Sequence, residues 1–93
     1  MIKSFADSEA EKIFAGISSR RLPPDIQRAA RRKLLQLDAA DRLGIMRLPP
    51  GNRLEALKGG RRGQYIIRIN DQWRICFRWH EQDALAVEIV DYH

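Results

Sequence analysis

Three arginines at alternating positions of one predicted β-hairpin are the residues of this sequence best suited to bind an anion. Arg68 lies in the first strand of that hairpin, and Arg74 and Arg78 lie in the second. A guanidinium group keeps its charge, and its fork matches two oxygens of a phosphate. One interpretation is an anion site whose ligand relieves the repulsion between these cations. The other is a solvated polar face on which the arginine stems cover apolar neighbours.

The strands that would carry these arginines alternate apolar and polar residues, as a sheet with one buried face requires. The predicted strands are Gln64–Ile69, Trp73–Trp79 and Leu85–His93. A three-residue loop, residues 70–72, sets Arg68 opposite Arg74 and keeps apolar residues on one face. A longer loop from His80 to Ala84 likewise keeps the apolar residues of the second and third strands on one face. The apolar pairs predicted in this way are Tyr65–Phe77, Ile67–Ile75, Trp79–Leu85, Phe77–Val87 and Ile75–Ile89.

The N-terminal half supplies elements that could cover the apolar face. Ile2–Phe5 is a short strand candidate. Asp7 and Ser8 then open a first helix, with Ser8 and Glu11 at the spacing of a capping box. The apolar stripe of this helix is Ala10, Ile13, Phe14 and Ile17.

A second helix is predicted from about Pro24 to Leu37, because proline suits the first helical turn. Its core stripe is Ile26, Ala30, Leu34 and Leu37. Its remaining surface carries a basic cluster of Arg28, Arg31, Arg32 and Lys33. Such a cluster is either a solvated face or a surface for RNA, the ribosome or an acidic partner.

Length and charge are typical of a small basic domain. The 93 residues are enough for one domain with a modest core, and the formal net charge of +5 points to a nucleic acid, an acidic protein or both. Cys76 is the only cysteine, which predicts a small buried residue in a reducing compartment. No long apolar run follows Met1, so we expect a cytoplasmic protein without a signal peptide or membrane contact. Two histidines and one cysteine show no ligand spacing, so we expect no metal and no cofactor.

A basic, glycine-rich segment precedes the first predicted strand. Its sequence is Gly59-Gly60-Arg61-Arg62-Gly63, and backbone amides in such a segment can approach phosphate closely. It is not a P-loop, because the Gly-Lys-Ser/Thr end is missing and no strand leads into it.

Three segments together resemble a known family. They are residues 48–59 (Leu-Pro-Pro-Gly-Asn-Arg-Leu-Glu-Ala-Leu-Lys-Gly), residues 63–79 with their Trp-Arg-Ile-Cys-Phe strand, and the terminal Val90-Asp91-Tyr92-His93. The pattern resembles the HigB-type toxins, which are host-inhibition-of-growth or plasmid-maintenance killer proteins of the RelE/ParE superfamily. The resemblance spans essentially the whole chain.

The resemblance implies a compact, microbial RNase-like α+β fold in a single domain, residues 1–93. The order would be β-α-α-β-β-β, with two N-terminal helices packed on an antiparallel sheet. It also implies a bacterial type II toxin that cleaves mRNA in the 30S decoding site, dependent on the ribosome and independent of metal. The implied partner is a HigA-type helix-turn-helix antitoxin, which alone would contact operator DNA.

The resemblance also assigns site residues. The catalytic residues would be Lys58, Arg74, Asp91, Tyr92 and His93. The resemblance places Arg68 and Arg78 near the same site. With the basic residues of the preceding loops, the predicted RNA-binding residues are Arg53, Arg61, Arg62, Arg68 and Arg78. This chain has Glu55 where some members of the family carry a histidine, so the resemblance provides no general base from that loop.

Cleavage of RNA without a metal requires a deprotonated 2′-OH, a stabilised phosphorane and a protonated leaving oxygen. Arg74 suits the stabilising role, and Lys58 would add a point charge. Tyr92 could donate its phenolic proton or stack on a base. His93 fits a general acid, because Asp91 and the α-carboxylate that the terminal residue would carry both favour the imidazolium.

Two other functions remain open at this point. One is a gyrase-poisoning toxin of ParE type, which performs no RNA chemistry. The other is a non-catalytic basic module that binds RNA or a protein.

Overall fold

Two helices cover one face of a four-stranded antiparallel sheet in a computed structural model that describes residues 1–92. The helices are α1 (Ser8–Phe14) and α2 (Pro24–Ala39). The strands are β1 (Glu55–Ala56), β2 (Gln64–Arg68), β3 (Trp73–His80) and β4 (Asp83–Asp91), and they lie in that order across the sheet. Short 3₁₀ turns at Leu43–Arg47 and Pro50–Asn52 lie between α2 and the sheet, and a third at Gly59–Arg61 lies between β1 and β2.

The predicted α+β fold, with two helices packed on an antiparallel sheet, is confirmed, but the predicted order is wrong in two places: the first predicted strand is not a strand of the sheet, and an additional strand precedes β2. The N-terminal segment pairs in parallel with β4 only through isolated bridges, Ile2 with Ala84 and Phe5 with Val87. The two-residue strand β1, which the sequence pattern did not predict, adds an edge beside β2. No helix in the described range has the length and hydropathy needed to cross a membrane.

The β2–β3 register is the predicted one. Ile67 lies opposite Ile75, Tyr65 opposite Phe77 and Arg68 opposite Arg74. These pairs confirm the predicted register. Alternation was enough to predict it, because any one-residue slip would have moved the apolar residues to the wrong face.

The β3–β4 register is only partly as predicted, because a β-bulge interrupts it. Ile75 pairs with Ile89 as predicted, the predicted pair Trp79–Leu85 is wrong, and Phe77, which was predicted to pair with Val87, lies at the bulge. The hairpin turns over residues 81–82, so that Trp79 lies opposite Ala84 and Arg78 opposite Leu85. Between Cys76 and Arg78 the β4 strand contains one extra residue, and Ala86 within it has a left-handed φ of 52°. Ala84 is therefore buried, whereas Leu85 lies on the opposite face.

Asp7, and not the predicted Ser8, caps α1. One carboxylate oxygen, Oδ1, accepts hydrogen bonds from the N–H groups of Glu9 at 2.6 Å and Ala10 at 2.9 Å. The other, Oδ2, accepts from Ile89 N–H at 3.0 Å. One side chain therefore satisfies two free helix donors and joins the helix to β4.

Asn52 anchors the connector, residues 48–54, to α2. The side chain of Asn52 is fully buried. Its Oδ1 accepts a hydrogen bond from Lys33 Nζ, and its Nδ2 donates to Met46 O at 3.1 Å and Leu48 O at 3.0 Å. Lys33, which the helical pattern assigned to the basic surface, is therefore buried at the edge of the core.

Candidate functional site

The face of the sheet turned away from the helices, here called the outer face, carries all three of the arginines predicted to form an anion site. By strand alternation and register it presents Gln64, Ile66, Arg68, Arg74, Cys76, Arg78, Leu85 and Glu88. Ile66 and Cys76 are only 3% and 1% exposed, although both helices lie on the other face. Polar side chains of the outer face account for part of the burial of these two residues. Arg61 Nη2 lies 3.8 Å from Glu88 Oε1, and Cys76 Sγ donates to Gln64 Oε1 at 2.9 Å. Burial raises the pKa of the Cys76 thiol, which keeps it protonated.

Arg74 is held between the tip of the β2–β3 hairpin and Tyr92. Its Nη1 donates to the carbonyl oxygen of Asn70 and, at 3.1 Å, to that of Trp73. Its guanidinium carbon lies 5.1 Å from the centroid of the Tyr92 ring, which is cation–π geometry. The Tyr92 N–H in turn donates to Gln72 O at 2.6 Å. The guanidinium is therefore fixed in position, with an aromatic ring beside it.

Asp71 forms an ion pair with Arg68 and lies within electrostatic range of Arg53 and Arg74. Arg68 Nη2 contacts Asp71 Oδ1, and the Asp71 side chain is 98% exposed. The hydrogen bond from Arg68 lowers the pKa of Asp71, and the charges of Arg68, Arg53 and Arg74 lower it further. The buried Nε–H of Arg68 has no hydrogen-bond partner among the described residues. The hairpin tip is thus a cationic site in which one carboxylate is bound.

The end of β4 is bonded to the same hairpin loop. Gln72 Nε2 donates to Asp91 Oδ2 at 3.2 Å, and Asp91 lies opposite Trp73. Asn70 Oδ1 accepts from the N–H groups of Gln72 at 2.9 Å and Trp73 at 2.8 Å, which fixes the loop. We call the set Arg53, Arg68, Asp71, Arg74, Asp91 and Tyr92 the hairpin-tip cluster.

The other predicted site residues lie toward the opposite end of the sheet. Lys58 is exposed and precedes the 3₁₀ turn Gly59–Arg61, close to the Leu57 N–H that donates to Gln64 O at 2.8 Å. Gln64 pairs with Arg78, which is four residues, or about 13 Å, from Arg74 along β3. Lys58, Arg61, Arg62 and Arg78 therefore form a second basic group, separate from the hairpin-tip cluster.

The remaining predictions for the site concern His93 and metal ligands. His93 lies outside the described residues. Among residues 1–92, no group of three or more His, Cys, Asp and Glu side chains is arranged to hold a metal ion.

Sequence reasoning missed the loop side chains that complete the hairpin-tip cluster. Asp71 stands three residues after Arg68, a spacing that allows an ion pair across a tight loop. Asn70 begins the loop, where its side chain commonly bonds the backbone two residues on. These two signals were available in the sequence.

Comparison with known proteins gives a consistent result. Residues 3–93 match the sequence model of a family described as the HigB-like, RelE-like toxins of type II toxin–antitoxin systems. Toxin HigB-1 of Vibrio cholerae is 41% identical over 86 residues, which cover 91% of this chain and 90% of that protein. Endoribonuclease HigB of Proteus vulgaris is 33% identical over 94 residues, which cover both chains fully.

A solved structure supports the fold. YafQ from E. coli superposes with a TM-score of 0.58 over 98% of this chain and 93% of its own. Because the two sequences are only 11% identical, this similarity concerns the fold alone.

Proposed function

Since this chain belongs to the HigB-like family of type II toxins, we propose that it is an endoribonuclease that cuts mRNA on the ribosome and is neutralised by a HigA-type antitoxin. The relative from Proteus vulgaris is named as an endoribonuclease. In this proposal the protein acts in the cytoplasm and reaches operator DNA only through the antitoxin.

The observation that carries the proposal is the hairpin-tip cluster. Asp71 is an anion bound by Arg68, with Arg53 and Arg74 nearby. A phosphodiester has the same charge, and its two non-bridging oxygens match the arginine fork better than one carboxylate oxygen does. Tyr92 stacks beside Arg74, where an unstacked base of single-stranded RNA could join it.

In the proposed reaction, guanidinium groups and no metal stabilise the phosphorane. Arg74 has this role, because it is held on two sides by backbone carbonyls and an aromatic ring. Tyr92 lies beside Arg74, Asp91 is bonded to Gln72 of the same hairpin loop, and His93 is the proposed general acid. Lys58, Arg61, Arg62 and Arg78 contact the message further along its backbone.

The composition of the hairpin-tip cluster supports the proposed ribosome dependence. Its cations suit charge stabilisation, but they do not deprotonate a 2′-OH at neutral pH. Alignment of the message by ribosomal RNA would supply the in-line geometry and so lower the entropic part of the barrier.

The test is 5′-end mapping of a translated message after induction of the toxin, together with cleavage by purified protein. We expect cuts within codons that require ribosomes. Multiple-turnover cleavage of naked mRNA by the pure protein would contradict ribosome dependence. DNA breaks with intact message would favour the gyrase-poisoning alternative, and neither effect would favour a binding module.

Asp71→Asn is expected to tighten binding of single-stranded RNA by about 3- to 10-fold at low salt. The substitution removes the anion that competes for Arg68 and leaves the loop backbone unchanged. The measurement is fluorescence anisotropy with an RNA made uncleavable by 2′-deoxy substitution. Asp41→Asn, at an exposed position in the loop after α2, changes the net charge equally and serves as the control. Equal effects of the two substitutions would show that Asp71 does not occupy the phosphate position.

A further inference from the structure

A groove of about 720 Å³ lies between the end of α1 and one side of α2, on the helical layer of the molecule. Ile13 is buried in it, residues 16–18 border it from the α1 side, and Arg28, Arg31, Arg32 and Leu35 border it from α2. The hairpin-tip cluster lies elsewhere, at one end of the sheet, so the function proposed above does not use the groove.

The groove exposes aliphatic side chains that the fold does not cover. Ile17 is 57% exposed and Leu35 is 41% exposed. The α1 helix ends in a Schellman motif, in which Ile17 N–H donates to Lys12 O at 2.8 Å and Gly16 N–H donates to Ile13 O at 3.0 Å. The residue after the left-handed glycine usually packs back onto its own helix. Ile17, which the helical pattern assigned to the core, instead lies at the edge of the groove.

The groove is also strongly basic. Arg28, Arg31, Arg32 and Leu35 follow the i, i+3, i+4, i+7 spacing of a single helical stripe. The Arg31 guanidinium lies across Gly16, 3.6 to 3.8 Å from where a Cβ would be. Within the described range no acidic side chain lines the groove. A ligand that fits it must combine negative charge with apolar side chains.

We propose that this groove binds an acidic amphipathic helix of the cognate antitoxin, an inference that rests on the toxin–antitoxin partnership proposed above. Helix-in-groove recognition places apolar anchors between helices and lets charges pair at the rim. RNA would use the arginines but leave Ile17 and Leu35 without apolar contacts. A second copy of this chain, related by a two-fold axis, would place one arginine stripe against another. The charge and the exposed aliphatic side chains together favour the acidic helix.

The experiment measures the affinity of the full-length toxin for the purified antitoxin encoded in the same operon, by isothermal titration calorimetry. Two double variants are used, Ile17→Ser with Leu35→Ser, and Arg28→Glu with Arg32→Glu. Each is expected to weaken antitoxin binding by at least about 30-fold. Arg42→Glu, an exposed position outside the groove, is the charge control and should change the affinity by no more than about twofold. Circular dichroism checks that each variant is folded.

A second measurement separates this inference from the proposed function. Without antitoxin, the Ile17→Ser, Leu35→Ser variant should arrest growth as the wild type does, because neither residue belongs to the hairpin-tip cluster. Unchanged antitoxin affinity in both double variants overturns the groove proposal. The groove proposal is also overturned if a double variant keeps full antitoxin affinity but loses ribosome binding. It is likewise overturned if the wild type forms a dimer, detected by light scattering, that a double variant does not form. If wild-type protein cuts no message but the groove variants still lose antitoxin, the nuclease proposal fails and the groove proposal stands.

Discussion

Replacing Arg74 with alanine is expected to reduce ribosome-dependent message cleavage by at least about 100-fold and to abolish growth arrest. The substitution removes a preorganised cation that two backbone carbonyls and the Tyr92 ring hold in place. Because Arg74 lies on the outer face, the fold should survive, with a loss of about 1 kcal/mol from the two hydrogen bonds to the loop. Single-turnover cleavage on programmed ribosomes, with thermal unfolding of the same sample, measures both effects.

Arg78→Ala provides the matched control for this prediction. Arg78 lies on the same strand and the same face as Arg74, but it belongs to the second basic group. Its loss should weaken RNA binding with little effect on the rate of the bound complex. Arg74→Lys keeps the charge but not the fork, and we expect a loss of about 10-fold. A wild-type cleavage rate in Arg74→Ala, or an unfolded variant, would contradict the assignment.

The pairing of Arg68 with Arg74 could be predicted from the sequence, but the way in which the structure relieves the repulsion between them could not. Parity of apolar residues determines the register, so two like charges had to face each other. The structure turns the two guanidinium groups toward different acceptors, Arg68 toward Asp71 and Arg74 toward Asn70 O. Which acceptor a long flexible side chain finds depends on three-dimensional contacts that alternation does not encode.

The β-bulge and the end of α1 were not predictable for a different reason. Ala86 has a left-handed φ without being a glycine or asparagine, the residue types that usually mark such positions. Ile17 continues the helical stripe in sequence, but Gly16 ends the helix before it. In the first case the bulge accompanies a pairing of the half-buried Trp79 with the buried Ala84, which local preference does not encode, and in the second a local signal overrides periodicity.

The residues predicted to form one site lie in two separate groups, because the length of the strands keeps them apart. Lys58 and Arg78 were grouped with Arg74 through the resemblance, yet a β-strand rises about 3.3 Å per residue and separates positions on one face quickly. An extended message could contact both basic groups at different nucleotides. The roles of the individual residues in this division stay predictions.

Asn52→Ala is expected to lower the free energy of unfolding by about 3 kcal/mol. The substitution leaves Lys33 Nζ and Met46 O without the buried amide that pairs with them, whereas Leu48 O keeps a hydrogen bond from Gln36 Nε2. For a domain of this size the melting temperature should fall by roughly 12–24 °C. Calorimetry or denaturant titration measures the change. Gln36→Ala, which contacts the same connector from its more exposed side, should cost less than about 1 kcal/mol.

The pH dependence of Asn52→Ala tests whether the unpaired Lys33 ammonium causes the loss. Burial, followed by the charges of Arg32 and Arg68, lowers the pKa of Lys33 from its ordinary value of 10.5. The unfolded chain then binds more protons than the folded protein as pH rises through the folded pKa toward 10.5, so stability rises over that window. Removal of Asn52 takes away the acceptor that favours the charged form of Lys33, so the pKa of Lys33 in the folded variant falls further. The pH range over which stability rises is therefore wider in the variant than in the wild type. The stability difference between wild type and variant should therefore be smaller at about pH 10 than at about pH 7, and Lys33→Met should rescue the variant. A difference that is independent of pH would show that the loss comes from the carbonyl groups and the cavity alone.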